Sequence, residues 1–421
     1  MLTLYKANRA FGDKDMSITN VYLEILTQNE SKIMFFISEP DINFRIKGSR
    51  DPLGFQPIWQ KLGRKVIKDL STVSVHVRDF QIMSFAWYFW GDSPDKNFMA
   101  FFYKFEQACA YTRELYLEKS GYNGKEYVSK RKNALSFRLS TNKADTILSN
   151  QKTYGVFGKY NRPFTEMRIK YQNDFISVME SAIQTKTDSK KLLALVDKLI
   201  TEDVVIIAKE ELQPIADLIG QLTDKEKQFY ERLILEAPSH KCQNELYHLF
   251  KKNPELRENT FQLYPFIESV LKHDISNDLK ACLVEIKNTE SVLYAYANLF
   301  RHLQSRPVWQ LQEINQQEIF NYFPEKQDYI FGKDAVLILN DTLDALTKDK
   351  SKIALAAVNR NEKVSKRRNN SAWIKQEKGK LVRYYADGGR EISKLDVKNV
   401  CENNYFIPTF ISLFNQIDPV T

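Results

Sequence analysis

Several groups of residues in this chain have types and spacings that could do chemistry. Asp278, Glu285 and Lys287 spell D-x6-E-x-K, an order that could present acids and a lysine to a divalent ion beside a scissile phosphate. That chemistry needs a strand that puts acid and lysine on one face. Here Leu279, Cys282, Leu283, Ile286, Leu293, Tyr296, Phe300 and Leu303 recur at helical period. The stretch therefore reads as a helix with Glu285 and Lys287 on its surface. His240, Cys242 and His248 are metal-ligand types, but zinc takes four protein ligands, or three and a water, and no second cluster lies nearby in sequence. The Tyr154–Tyr160 stretch, YGVFGKY, has two glycines but lacks the GxxxxGK[ST] pattern of a phosphate-cradling loop. No G-x-S-x-G elbow is present. No catalytic residue, metal or cofactor is assigned on these grounds, and ATP, if the system uses it, is left to another subunit.

The strongest chemical signal is a charge cluster. Residues 361–390 hold nine Lys/Arg against three acids, a net +6 within a chain of formal net charge +8. The segment also carries Trp373, Tyr384 and Tyr385. Cations interleaved with flat aromatics suit a polyanion, most often nucleic acid held by its phosphates. The candidate contacts are Lys363, Lys366, Arg367, Arg368, Trp373, Lys375, Lys380 and Arg383. Lys130, Arg131 and Lys132, with Lys159 and Arg162, would extend the positive face. The competing reading is a lysine-rich sheet edge that blocks edge-to-edge pairing.

These residues need elements to position them. Val21–Leu26, Lys32–Ile37 and Asn43–Gly48 read as strands, and Ile58–Ile67 as a short helix. Phe80, Met83 and Trp87, then Phe98, Phe101, Phe102, Phe105 and Cys109, give two helices broken at Gly91–Pro94. A polar connector follows over 120–138. Ala144–Asn150 reads as a short helix, and the YGVFGKYNRPF stretch as a structural corner. Helices are expected over 174–185, 188–200, 203–219, 223–235, 242–251, 257–272 and 276–304. The basic segment reads as a β-hairpin turning at Lys378-Gly379, and YFIPTFISLF as a terminal helix. Asp51, before Pro52, should cap a turn, with Arg64 placed to pair with it. The expected fold is α+β and mainly α: an N-terminal α+β domain over 1–165 that includes a small β-containing unit, a long helical array over 166–306, and a C-terminal α+β domain over 307–421 with the basic hairpin.

At 43% hydrophobic, the 421 residues can bury a large core. The four cysteines form no CxxC, which suggests a reducing compartment without structural zinc. The longest apolar runs are too short to span a bilayer, and the first residues have no apolar signal core. A cytoplasmic protein with no membrane partner is expected.

Two motifs carry a resemblance. Asp51, Pro52, Leu53, Gly54, Trp59, Gly63 and Arg64 form one. Leu148, Ser149, Asn150, Gln151, Tyr154, Gly155, Gly158 and Tyr160 form the other, with Phe157 where tryptophan would be expected. With the C-terminal WIKQEKGKLVRYY…NNYFIPTF, they resemble a bacterial family of multi-gene anti-phage defence islands. The resemblance implies a defence context beside a larger ATPase or nuclease partner; taken with the charge cluster, the expected function is a non-enzymatic subunit that contacts DNA and a partner protein. Duplex DNA gripped by its backbone is the expected ligand. The alternatives are a metal-dependent nuclease subunit and a pure assembly scaffold.

Overall fold

The computed structural model describes residues 51–91, 97–117, 121–257, 261–324, 345 and 349–419. The three expected N-terminal strands lie outside these residues. Among the described residues the chain is α+β and mainly α, as its periodicity indicates.

Two aromatic helices form the centre: α1 (Gln56–Val66) leads into α2 (Val77–Trp90) and α3 (Phe98–Tyr116). Both α2 and α3 are buried over most of their circumference, the signature of core helices rather than surface ones. Gly91, at φ +60°, ends α2, and the Asn97 side chain accepts from the Ala100 N–H to start α3. Because these helices are buried nearly all round, their polar groups must bond internally. Asp79 and Arg113 do so as a buried ion pair at 2.8 Å.

The polar connector folds into α4 (Lys125–Ser129) and β1 (Ser136–Ser140). The short helix expected at 144–150 is a turn. Helix instead begins at α5 (Gln151–Tyr154), where the Asn150 side chain accepts from the Thr153 N–H at 3.1 Å. The corner expected over YGVFGKYNRPF narrows to Gly155, because α6 (Val156–Glu166) takes the rest. Helices α7 (Phe175–Lys186) and α8 (Ser189–Thr201) match the period. The next expected helix, 203–219, is wrong at its start. Val204–Ala208 is strand β2, paired antiparallel with β1 in the register Phe137↔Ile207, and only Gln213–Ile219 forms α9. Four β-branched residues in a row lose rotamer freedom in a helix, and here they alternate, with Val205 and Ile207 inward and Ile206 out.

Helices α10 (Asp224–Tyr230), α11 (Lys241–Lys252), α12 (Leu263–Val270) and α13 (Asn277–Leu303) complete the array. Helix α13 is the spine, started by a Ser276 cap on Leu279 and packed on α1 and α12. After it come β3 (Val308–Gln310), α14 (Leu311–Ile314), α15 (Lys350–Arg367), β4 (Ile374–Glu377), β5 (Lys380–Arg383) and α16 (Ile407–Ile417). The hairpin turns where expected. Lys378 and Gly379 both have positive φ, at +46° and +76°, as a two-residue hairpin loop of matching twist requires. Strand β3, too short to read from sequence, joins β5 to make a sheet of order β3-β5-β4. No described helix is long and apolar enough to cross a membrane.

Candidate functional site

The end of α15 and the hairpin are fastened to the turn that starts α1. Arg360 donates from Nε to the Leu53 carbonyl at 2.6 Å, and Asn361 donates from Nδ2 to the Pro52 carbonyl at 3.0 Å. Gly54 sits at φ +64°, and a Cβ there would stand 2.8 Å from Val364 Cγ2, so both the backbone and the contact call for glycine. Asp51 caps α1 by accepting from the Phe55 and Gln56 N–H groups at 2.8 and 3.0 Å. The expected Arg64 partner is elsewhere, with its guanidinium 5.6 Å from the Phe406 ring. Arg368 takes the place beside Asp51, at 3.3 Å from Oδ2. The sequence distance of Arg368 from Asp51 hid that pair.

The candidate cations divide by what they touch. Lys366, Arg367, Lys378 and Lys380 are exposed and make no ion pair among the described residues. Lys363 is exposed as well. Arg368 is partly committed to Asp51, Arg383 donates to the Gln304 carbonyl at 2.5 Å, and the Lys375 ammonium lies 5.2 Å from the Tyr384 ring centre. Trp373 is not placed for stacking on a base from solvent. It is 5% exposed, packed 4.7 Å from the Tyr385 ring and 6.0 Å from Phe300, and it seals the hairpin to the core. Lys130, Arg131 and Lys132 leave α4, which packs on α3. Lys130 pairs with Glu126 at 2.8 Å, Arg131 lies 3.7 Å over the Tyr127 ring, and Lys132 is exposed. Lys159 donates to Asn123 Oδ1 at 2.6 Å, and Arg162 pairs with Glu166 at 2.8 Å.

Beneath the fastened hairpin lies a cleft of about 390 Å³. Its walls come from the α1 turn (Asp51, Phe55, Trp59), from α13 and its end (Arg301, Gln304), from the basic segment (Trp373, Asp387) and from Glu402 and Asn403. Arg301 clamps Glu402 through two nitrogens. Burial opposes the Glu402 charge, but the guanidinium outweighs it and holds the carboxyl below its usual range. The 402–406 wall is organised by Glu290, which is fully buried. Its carboxylate accepts from the Glu402 N–H (2.6 Å), the Asn403 N–H (3.1 Å), Asn403 Nδ2 (3.0 Å) and the Tyr405 hydroxyl (2.7 Å). Burial nevertheless pushes its pKa up to about 7. The wall ends in two consecutive left-handed residues, Tyr405 at φ +53° and Phe406 at φ +66°. Such conformations cost of order 1 kcal/mol or more each and need surrounding structure to hold them. Trp59, half-buried at the cleft, packs against both rings, 6.2 Å from Tyr405 and 5.4 Å from Phe406.

The second motif is consumed by internal bonding. Gln151 donates from Nε2 to Glu106 at 2.8 Å, and Glu106 accepts the Val156 N–H at 2.5 Å, capping α6. Burial lifts the Glu106 pKa to about 7. The Tyr160 hydroxyl accepts from the His76 N–H at 2.9 Å. A Cβ at Gly158 would meet the Thr153 carbonyl oxygen at 2.1 Å. These residues build the core rather than a reaction centre.

The residues of catalytic type are also spoken for. Glu285 and Lys287 stand on α13, as the period indicates, but Glu285 is buried rather than on the helix surface. Glu285 accepts from Lys65 Nζ at 2.8 Å, and Lys287 pairs with Glu268 at 2.9 Å. His240 accepts the Gln243 N–H at Nδ1, capping α11, while Cys242 lies in hydrogen-bond contact with Cys282 of α13. Among the described residues, no group of three or more His, Cys, Asp or Glu could hold a metal ion.

Sequence reasoning missed Glu290, Arg301, Gln304, Asp387, Glu402 and Asn403. One signal was available: Glu290 falls on the α13 stripe that runs through Leu283, Ile286 and Leu293, and a carboxylate on an apolar stripe must have partners. No protein-family model, curated protein or solved structure matches this chain.

Proposed function

We propose that this protein contacts nucleic acid through the end of α15 and the β4-β5 hairpin, gripping phosphates without doing chemistry on them. The observation that carries this reading is the set Lys366, Arg367, Lys378 and Lys380: exposed, without ion pairs among the described residues, and mounted on adjoining elements pinned to the core by Arg360, Asn361 and Trp373. A rigid array of unneutralised cations favours a polyanion, because binding need not first order its scaffold. Phosphate contacts carry no sequence information, so weak sequence preference is expected. The motif resemblance adds the defence context, in which this chain would hold DNA for an ATPase or nuclease partner.

The test is fluorescence anisotropy on a labelled duplex of about 20–30 base pairs, with Lys366, Arg367, Lys378 and Lys380 changed together to Glu. Arg368 is left intact because it holds the Asp51 turn. Four phosphate contacts correspond to a log–log salt slope of about −3.6, or roughly a hundredfold weaker binding between 50 and 200 mM salt. The variant should lose this binding while retaining its far-ultraviolet dichroism. Wild-type affinity in a folded variant rejects the proposal.

A further inference from the structure

The cleft beside the basic face differs from that face in charge and texture. Its one ring-bearing wall that is not buried is Trp59, with the buried rings of Phe55 and Trp373 beside it, and its volume of about 390 Å³ lies at the small end of ligand pockets, roughly 300–1,000 Å³. Its charges do not favour phosphate. Arg301 is neutralised by Glu402, and Arg368 at the rim meets Asp51. That leaves the Asp387 carboxylate, which makes no ion pair among the described residues. A phosphate would be repelled inside and held outside. A flat, uncharged group with N–H donors meets the opposite conditions.

We infer that the cleft receives one unpaired nucleobase from a strand held on the basic face, and that it favours a base with an exocyclic amino group. The inference rests on the nucleic-acid reading above. Continuity of the two surfaces supports it: Arg368, at the end of basic helix α15, bonds Asp51 of the cleft wall, and both Trp373 and Asp387 belong to the basic segment. At the cleft wall, the exposed Asp387 is an acceptor for the amino group of adenine, cytosine or guanine. Asn403 commits Nδ2 to Glu290, which leaves its carbonyl oxygen as a second acceptor. Thymine has no such amino donor. A base already unpaired enters without the cost of breaking a pair.

The experiment compares three duplexes of one length at one salt concentration: fully paired, with a single adenine bulge, and with a single thymine bulge. The adenine bulge should bind about tenfold more tightly than the paired duplex, in line with one base stacked on the Trp59 ring, and more tightly than the thymine bulge. Asp387→Asn, at an exposed position, should narrow the adenine-to-thymine ratio toward one. Equal affinity for all three duplexes overturns the cleft assignment and leaves the basic face standing. A bulge preference without base discrimination, or one that Asp387→Asn does not change, also overturns it. Failure to bind any of the three removes both readings.

Discussion

Replacing Glu290 with Gln tests how the cleft wall is held. Glu290 is fully buried and accepts four hydrogen bonds from residues 402–405. In the variant the amide oxygen can still accept the two backbone N–H groups. Its NH₂ then faces Asn403 Nδ2 and the Tyr405 hydroxyl. The hydroxyl can rotate to accept, but the two amide donors confront each other. One buried donor left without an acceptor costs about 1–3 kcal/mol, and this is the expected loss near pH 6.

The pH dependence separates burial from hydrogen bonding. Burial lifts the folded-state pKa of Glu290 from its ordinary 4.5 to about 7. Between pH 8 and pH 6 the folded protein takes up a proton that the unfolded chain does not, so acidification stabilises the wild type through this group. By proton linkage the gain is about 1 kcal/mol across that window. The amide of the Glu290→Gln variant does not titrate and cannot show it. Glu106 also titrates near 7, whereas half-buried His76 and His240 and buried His302 have lowered pKa values that work in the opposite direction. Those terms are common to both proteins and cancel in the difference. Urea unfolding at pH 6 and pH 8, followed by tryptophan fluorescence, should show the wild type gaining about 1 kcal/mol on the variant at the lower pH. A difference that does not change with pH would mean that Glu290 does not titrate there. In that case the four donors outweigh burial and hold the Glu290 pKa below this window, which refutes the reasoning.

Two further substitutions test the second motif and the core. Gly158→Ala brings a Cβ within 2.1 Å of the Thr153 oxygen and 2.7 Å of the Lys152 oxygen. Neither carbonyl can swing aside, so stability should fall by about 1–3 kcal/mol in urea unfolding, and an unchanged midpoint would contradict the packing. Asp79→Asn removes the charge facing buried Arg113 and should destabilise by about 3–5 kcal/mol; adding Arg113→Met should recover part of that loss, measured the same way.

Helices with a long apolar stripe were legible in the sequence because burial selects one face at a 3.6-residue period. Helix α13 follows that rule, α2 and α3 were legible from their long apolar and aromatic content although they are buried nearly all round, and the Lys378-Gly379 hairpin follows turn chemistry. Strand β2 was misread because Val204–Ala208 is too short to separate period two from a helical run, and its partner β1 lies 64 or more residues earlier, as the Ser140↔Val204 pairing shows. The positive charge of residues 361–390 was visible as composition. Which cations stay available was not, because Asp51 engages Arg368 and the Gln304 carbonyl engages Arg383 only in the folded chain. The cleft was invisible for the same reason: its walls come from four separate stretches between Asp51 and Asn403.

The two motifs of the resemblance have different physical fates. Around Asn150–Tyr160, Gln151 bonds to α3, Asn150 caps α5, Tyr160 bonds to the His76 N–H ahead of α2 and the glycines admit close backbone contact, so packing and capping explain those residue types, while Tyr154 stays exposed. Around Asp51–Trp59, packing explains Gly54, and capping explains Asp51, but neither explains an aromatic cleft left open beside a set of exposed cations. The Glu290 clasp sharpens this point. It takes a fully buried carboxylate and two left-handed residues to hold the 402–406 wall in place, although filling the space with apolar side chains would stabilise the fold more simply. Strain and buried charge retained next to an open cleft fit a binding surface better than a structural seam.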